Sequence, residues 1–457
     1  MRGKKFWLVA LSLVFVLSLL AACGGNNNAN EPANNTGNNS SSNGGNAGGG
    51  GDAAPEDISG EITVLTQRTD IVDSVFRQQY VPRFNEKYPN IKVNFEAITD
   101  YEGQVKIRMN TKDYGDVLLI PNYVLPQDLP DYFEPLGTVE ELSEKYLFVN
   151  EQQYEGISYG IPITVNAQGI VYNKKVFEAA GVTDVPKTPE QFMDALRAIK
   201  EKTDAIPLYT NYAAGWPLDQ WEGNRTSVAG DPKFTNYTLV RDKAPFSEGK
   251  PHYVIYKLMY DAAKEGLIES DPTTTDWETS KPMIANGEIA TMVLGSWAIT
   301  QMQEFADDPN DIGYMPFPYT NADGNVYSSS GGDFKQAINV HSSNKEAARA
   351  WVFWFADESG YAVSEGGISP LKGEAMPETL KAFDDLGVVL ISEEPAPDEE
   401  NGWLTMIDQQ SEVGLFASNF KQRIIEAAIG NRNETIEDIF ADLNERWGKA
   451  VEQVTGE

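Results

Sequence analysis

Asp116-Val117-Leu118-Leu119-Ile120-Pro121-Asn122 is an unbroken apolar run that stops at a Pro-Asn pair. A strand with one wet face alternates apolar and polar residues. A run that is apolar throughout is buried on both faces, as in a parallel sheet covered by helices, and the Pro-Asn pair then opens a loop. Glu61–Thr66 reads as a second strand, and Ile91–Phe95 alternates like a half-buried third, with a helical stretch between them from Val75 to Lys87.

The helices carry their own start signals. Thr188, Pro189 and Gln191 place a capping hydroxyl, a proline in the first turn and an amide three residues on. Phe192, Ala195, Leu196 and Ile199 then recur on one face. Ser343 to Glu346 repeats the capping-box spacing ahead of Ala347–Phe355. Ile439, Phe440, Leu443, Trp447 and Val451 form a last amphipathic stripe. Strands alternating with helices predict an α/β fold with parallel sheets. The 457 residues suffice for two or three domains, and neither an internal repeat nor a second low-complexity linker separates them.

Composition excludes several functions. With 68 acidic against 36 basic residues and a net charge of −32, no surplus of Lys and Arg exists to neutralise phosphates, which argues against nucleic acid. One Cys and two His leave no disulfide framework and too few soft ligands for a Cys/His zinc site. At the N-terminus, Arg2, Lys4 and Lys5 precede an apolar run from Phe6 to Leu20, then Ala21, Ala22 and Cys23. This is the anatomy of a secretory signal over residues 1–22, and the run is shorter than a membrane-spanning helix needs. Leu20–Cys23 resembles a lipobox, which implies lipidation at Cys23 and a membrane held through a lipid anchor. From Gly24 to Asp57 the chain is dominated by Asn, Gly, Ser and Ala, a composition expected to stay disordered and to act as a tether reaching roughly 30–35 Å. A lipid-fixed start followed by a long tether fits the outer face of a Gram-positive cell membrane.

Beyond the tether, a series of short motifs resembles the extracellular solute-binding proteins of ABC importers, in the carbohydrate-type group related to maltodextrin-binding proteins. Tyr114–Val117 resembles their short strand signature, with Gly115 where Pro often stands. Tyr159–Pro162, Gly169–Phe177 and Ala180–Val182 are similar to their crossover region, and Lys187–Phe192 to a capped helix start. Asn286–Val293 leading into Gly295–Trp297 resembles a strand-plus-aromatic motif. Gly331–Asp333, Ile338–His341, Glu346–Trp351 and Gly366–Pro370 follow in the family's order. The resemblance covers about residues 60 to 447. It implies a two-lobe periplasmic-binding-protein type II-like fold with crossing hinge segments and a sugar in the cleft. Lobe 1 is expected at 58–165 plus 317–362 and lobe 2 at 166–316 plus 363–457. The hinges are expected near Thr164–Gly169, near Gly313–Phe317 and within Asp357–Pro370. It further implies a monomer that needs no cofactor and meets the transmembrane subunits of an ABC permease.

A sugar offers apolar C–H faces edged with hydroxyls, so aromatic rings and hydrogen-bonding side chains make its site. Trp297 follows Gly295 and Ser296 at a strand end and is the leading stacking candidate. Trp216 and Trp221 lie in a segment that resembles the relatives' cleft-facing Trp-Pro-Leu, and Phe416 falls near a family aromatic position where no Trp stands here. Polar candidates come from loops after strands: Gln67, Arg68 and Asp70; Asn122 and Tyr123; Gly332 and Asp333; and Asn166 in the crossover. Asp116 reads as structural. Three rivals remain: the same fold holding an amine, peptide, organic acid or metal; a surface glycoside hydrolase using paired carboxylates; and a purely structural surface protein. Carboxylates are too plentiful to single out a pair, and Asp307–Asp311 lacks the Gly and terminal Glu of an EF-hand loop.

Overall fold

The computed structural model describes residues 54–99 and 101–456. The signal segment, Cys23 and nearly all of the tether lie outside the described residues. Two sheets organise the rest. The first runs in the order Ile91–Ala97, Gly60–Thr66, Val117–Leu119, Lys335–Ile338 and Ile161–Pro162. Its first three strands are parallel, as the apolar run at 116–120 predicts, and the last two join antiparallel. Helices pack on it around Phe84, Trp351 and Phe355.

The second sheet has the order Val389–Ser392, Tyr327–Gly332, Val165–Asn173, Ile289–Gly295 and Ile206–Leu208. Its central strand, Val165–Asn173, is antiparallel to Ile289–Gly295 on one side. On the other it pairs with Tyr327–Gly332 through its first residues and with Ile312–Met315 through its last. The outer pairs, Tyr327–Gly332 with Val389–Ser392 and Ile289–Gly295 with Ile206–Leu208, are parallel as expected, but the expectation fails around the central strand, in the case of Tyr327–Gly332 for a topological reason. One segment enters this sheet where the other leaves it, so the two must run in opposite directions. Apolar clusters cover both faces, one around Phe192, Tyr256 and Trp447, the other around Met292, Tyr314 and Phe383.

Residues 317–332 were expected with the first lobe, but Tyr327–Gly332 pairs within the second sheet. The chain thus returns to the first sheet between Gly332 and Lys335, not at Gly313–Phe317. Three passages meet there. Val165 N donates to Ile368 O at 2.9 Å and Ile368 N to Val165 O at 3.0 Å. Asp333 N reaches Thr164 O at 2.9 Å, and Ile163 N reaches Phe334 O at 3.0 Å.

Local signals mostly operate as read. Thr188 Oγ1 accepts from Gln191 N at 3.2 Å, and Phe192, Ala195, Leu196 and Ile199 are buried. The Gln191 amide oxygen turns to Lys187 N. The helix Lys345–Glu358 is different: Asn344 is its N-cap without a side-chain bond, so the expected capping box at Ser343 is absent. Ser342 does the local work instead, accepting from Asn344 N and donating to Asp116 Oδ1 at 2.5 Å. Asp116 also accepts from Thr63 N at 2.8 Å, which makes it the structural link between strands that its position suggested.

At the meeting of the passages, a Cβ on Gly367 falls 2.2 Å from Thr164 Oγ1. Gly367→Ala is expected to force these segments apart and to cost about 1–3 kcal/mol in urea unfolding, the usual scale for overpacking. An unchanged midpoint would mean that the passages separate freely.

Candidate functional site

A cleft of about 860 Å³ lies between the two sheets. Glu102, Asn122, Tyr123 and Glu151 wall it from the first, and Gln168, Arg225, Glu393 and Phe416 from the second. A smaller hollow of about 580 Å³ around Asn173 and Glu288 is confined to the second and holds no aromatic ring.

Each wall follows from a strand end. The loop after Val117–Leu119 turns Asn122 toward Glu102, whose carboxylate accepts from Asn122 N and Nδ2 at 3.2 Å. Tyr123 donates to Met109 Sδ at 3.3 Å, and burial raises its phenol pKa. Glu151 crosses to the return segment, where it accepts from Gly332 N at 3.2 Å and pairs with Lys335 at 2.5 Å. Burial raises the Glu151 carboxyl pKa against the pull of Lys335, and the charge of Glu393 pushes the same way as burial.

On the second side, Arg225 is pinned by Glu393 at 2.7 Å, Thr235 Oγ1 at 3.0 Å and Glu222 O at 3.2 Å. Its guanidinium stands 5.5 Å from the centre of the Phe416 ring, and that residue is 52% exposed. An exposed ring backed by a fixed cation is a ready surface for the C–H face of a ligand. Phe416 is held from beneath. Lys421, 0% exposed, donates to Leu415 O at 2.6 Å and Ala417 O at 2.7 Å, on either side of Phe416, and to Asp219 at 3.2 Å. Burial lowers the Lys421 pKa, with Asp219 and Glu222 opposing. Gln168 lies against Gly223, and its Oε1 is buried without a hydrogen-bond partner. A buried acceptor left open beside a cleft suits a ligand hydroxyl.

The other sequence candidates fall into three groups. Arg68 is tied to Asp70 at 2.8 Å, Tyr361 OH at 2.8 Å and Glu365 at 2.6 Å, joining the loop after Gly60–Thr66 to the third passage. Burial disfavours its charge, but these partners outweigh that and raise its pKa. Gln67, beside it, has an amide oxygen 3.4 Å from Thr66 Oγ1. Asn166 is buried under Ser296 Oγ, which donates to it at 3.3 Å. Burial raises the Asp333 pKa despite the Phe334 amide, Lys335 and the Asn166 amide, each of which acts to lower it. Gly332 contributes its amide to Glu151 rather than a surface.

The tryptophans form the third group. Trp297 and Trp216 do not line the cavity. They cluster with Trp277, ring centres 4.8–5.7 Å apart, and Trp216 keeps 40% of its surface exposed. The cluster adjoins the cleft floor, since a Cβ on Gly295 meets both Trp297 Nε1 and Gln168 Nε2. Trp221 is a correction: it is 2% exposed and packs against Phe317 at 6.3 Å, inside the core. Residues 216–224 form a 3₁₀ helix, whose three-residue repeat turns Leu218, Trp221 and Asn224 inward together.

Sequence reasoning missed Glu151, Gln168, Arg225 and Glu393. Gln168 had one available signal, as a lone amide in the otherwise apolar run Ala167–Val171. In the Asp307–Asp311 turn, Asp308 caps its own turn and Asp311 pairs with Lys175 at 2.5 Å. Among the described residues, no group of three or more His, Cys, Asp or Glu side chains could hold a metal ion. Nor is any described helix long and apolar enough to cross a membrane.

Two sheet-centred lobes, three passages between them and a cleft with walls from both define a protein built to enclose a solute. The profile of the bacterial extracellular solute-binding protein family matches residues 69–362, and the chain belongs to that family. Among solved structures it is similar to the ABC-transporter binding protein BlMnBP1 of Bifidobacterium animalis subsp. lactis in complex with mannobiose. Identity is 40%, covering 88% of this chain and 96% of that one, with a TM-score of 0.82. It is 38% identical to the manno-oligosaccharide-specific BlMnBP2 of the same organism in complex with mannotriose, covering 87% and 96%, with a TM-score of 0.81. An uncharacterized ABC transporter extracellular-binding protein of Pyrococcus horikoshii is 26% identical over 51% of this chain, a match spanning little more than half (56%) of that relative. These matched proteins are binding proteins.

Lys421→Met is expected to cost about 3 kcal/mol in denaturant unfolding, because it leaves the half-buried Asp219 and two carbonyls without their cation. Phe416→Ala, which removes an exposed ring, should stay within about 0.5 kcal/mol. Equal losses from the two would refute the view that the ring is displayed and the lysine holds it.

Proposed function

We propose that this protein captures a manno-oligosaccharide in the cleft and hands it to the transmembrane subunits of an ABC importer, without cleaving it. The observation that carries the reading is the cleft wall itself. The Phe416 ring on Arg225 offers a stacking face, while Gln168 Oε1 and the cleft carboxylates offer acceptors for hydroxyl donors. The high identity to two manno-oligosaccharide-bound proteins over nearly their whole length favours mannose units over other sugars. Closure of the two lobes would add contacts that the open form lacks, so loaded and empty protein would differ in the geometry offered to the permease. The exposed Trp216, outside the cavity lining, would extend the stacking surface toward longer ligands.

Calorimetric titration with mannobiose, mannotriose and maltose is expected to give binding for the first two. Phe416→Ala should weaken it roughly 10-fold, the scale of one aromatic contact. In thermal unfolding, sugar at 100 times its Kd adds about 2.7 kcal/mol. Absence of any heat or thermal shift with all three sugars, or release of free mannose from mannobiose, would defeat the proposal.

The address is part of the same reading: cleavage after Ala22, lipidation of Cys23 and display on the outer face of the cell membrane, in a Gram-positive envelope. Cys23→Ala is expected to abolish incorporation of labelled palmitate and to release the protein from the membrane fraction. Membrane retention of that variant would refute the anchor.

A further inference from the structure

We propose that the cleft discriminates by charge, accepting saccharides whose exocyclic groups are neutral and rejecting those that carry carboxylates. The proposal rests on the cleft being the saccharide site. Glu102, Glu151, Glu393 and Asp408 line the cavity, against one guanidinium, Arg225.

That guanidinium is already committed, to Glu393 at 2.7 Å and to the Phe416 ring. The neighbouring cations are committed as well. Lys335 pairs with Glu151 at 2.5 Å, Lys421 is closed in beneath Phe416, and Arg68 is shared between Asp70 and Glu365. Lys106 holds its ammonium 5.0 Å from the centre of the Tyr123 ring and does not line the cavity. Asp408 is held by Leu415 N at 2.8 Å and faces only the buried Lys421, while Glu102 is held by Asn122 N at 3.2 Å, so neither is paired with a cation that lines the cavity.

An ionised carboxylate only accepts hydrogen bonds, and the unpartnered Gln168 Oε1 is a further acceptor. Such a lining asks its ligand to arrive with donors. A hydroxymethyl group on a sugar ring supplies one. A carboxylate in its place supplies none and adds a like charge to a partly desolvated wall, where repulsion is screened less than at the surface.

Mannobiose and dimannuronate, which differ in the group at C6 of each ring, are the probes, titrated calorimetrically into the full chain in detergent at low ionic strength. Mannobiose should bind and dimannuronate should bind roughly 100-fold more weakly, with the gap narrowing at high salt. Glu393→Gln, which frees Arg225, should narrow the gap by about 10-fold. Glu102→Gln, on the opposite wall and bonded to Asn122 rather than to a cation, should narrow it in the same sense, so the test survives if the first variant folds poorly. Equal affinity of the native protein for both sugars, or a ratio unmoved in two folded variants, overturns the charge inference while leaving the saccharide site standing. If neither sugar binds the native protein, both the charge inference and the saccharide site fall.

Discussion

The three backbone passages between the sheets are the constraint on which everything else hangs. They lie close enough to hydrogen-bond to one another directly, Val165 with Ile368 and Thr164 with Asp333. That closeness dictates residue choice. Gly367 faces Thr164 Oγ1 with no room for a Cβ, and Gly332 is similarly tight against Pro162. It also dictates strand direction, because segments crossing one boundary in opposite senses must pair antiparallel. The floor of the cleft is built from these same segments, since Gln168 lies four residues past Thr164 and Gly331 precedes the return. The cleft and the joint are therefore one structure.

Much of the frame was legible in the sequence, because it rests on local patterns. Continuous and alternating apolar runs marked the strands of the first sheet, and capping residues with an apolar stripe marked the helices at 189–202 and 436–455. The order of short motifs carried the two-lobe arrangement. What the patterns could not carry was the pairing of Tyr327–Gly332. Its Ser-rich, Gly-rich sequence has no apolar periodicity, and its place is set by backbone bonds to a strand more than 150 residues away. The Ser343 capping box failed for a related reason. A local pattern was pre-empted by a distant partner, Asp116, which holds Ser342.

The site was read less well. Asn122 and Tyr123, chosen as residues that follow a strand, and Phe416, chosen from a family aromatic position, all line the cleft. Trp221 misled because nothing in composition separates a ring that turns inward on a 3₁₀ repeat from one that faces a ligand. Arg225, Glu151 and Glu393 were invisible in a chain with 68 acidic residues, since a carboxylate is informative only once its partner is known.

The placement of Phe416 and Lys421 inverts the ordinary rule of aromatic inside and lysine outside, and the inversion has a physical logic. A ring displayed to a ligand gives up the apolar burial that would otherwise fix its loop. Order must then come from hydrogen bonds, and an ammonium with three donors meets two carbonyls and one carboxylate from below. The desolvation that lowers the Lys421 pKa is thus a cost of holding an exposed aromatic still. For the proposed saccharide, ordering the ring before the ligand arrives would spare the bound state that entropy loss, which would let a wall with one good stacking face bind a flexible, heavily hydrated solute.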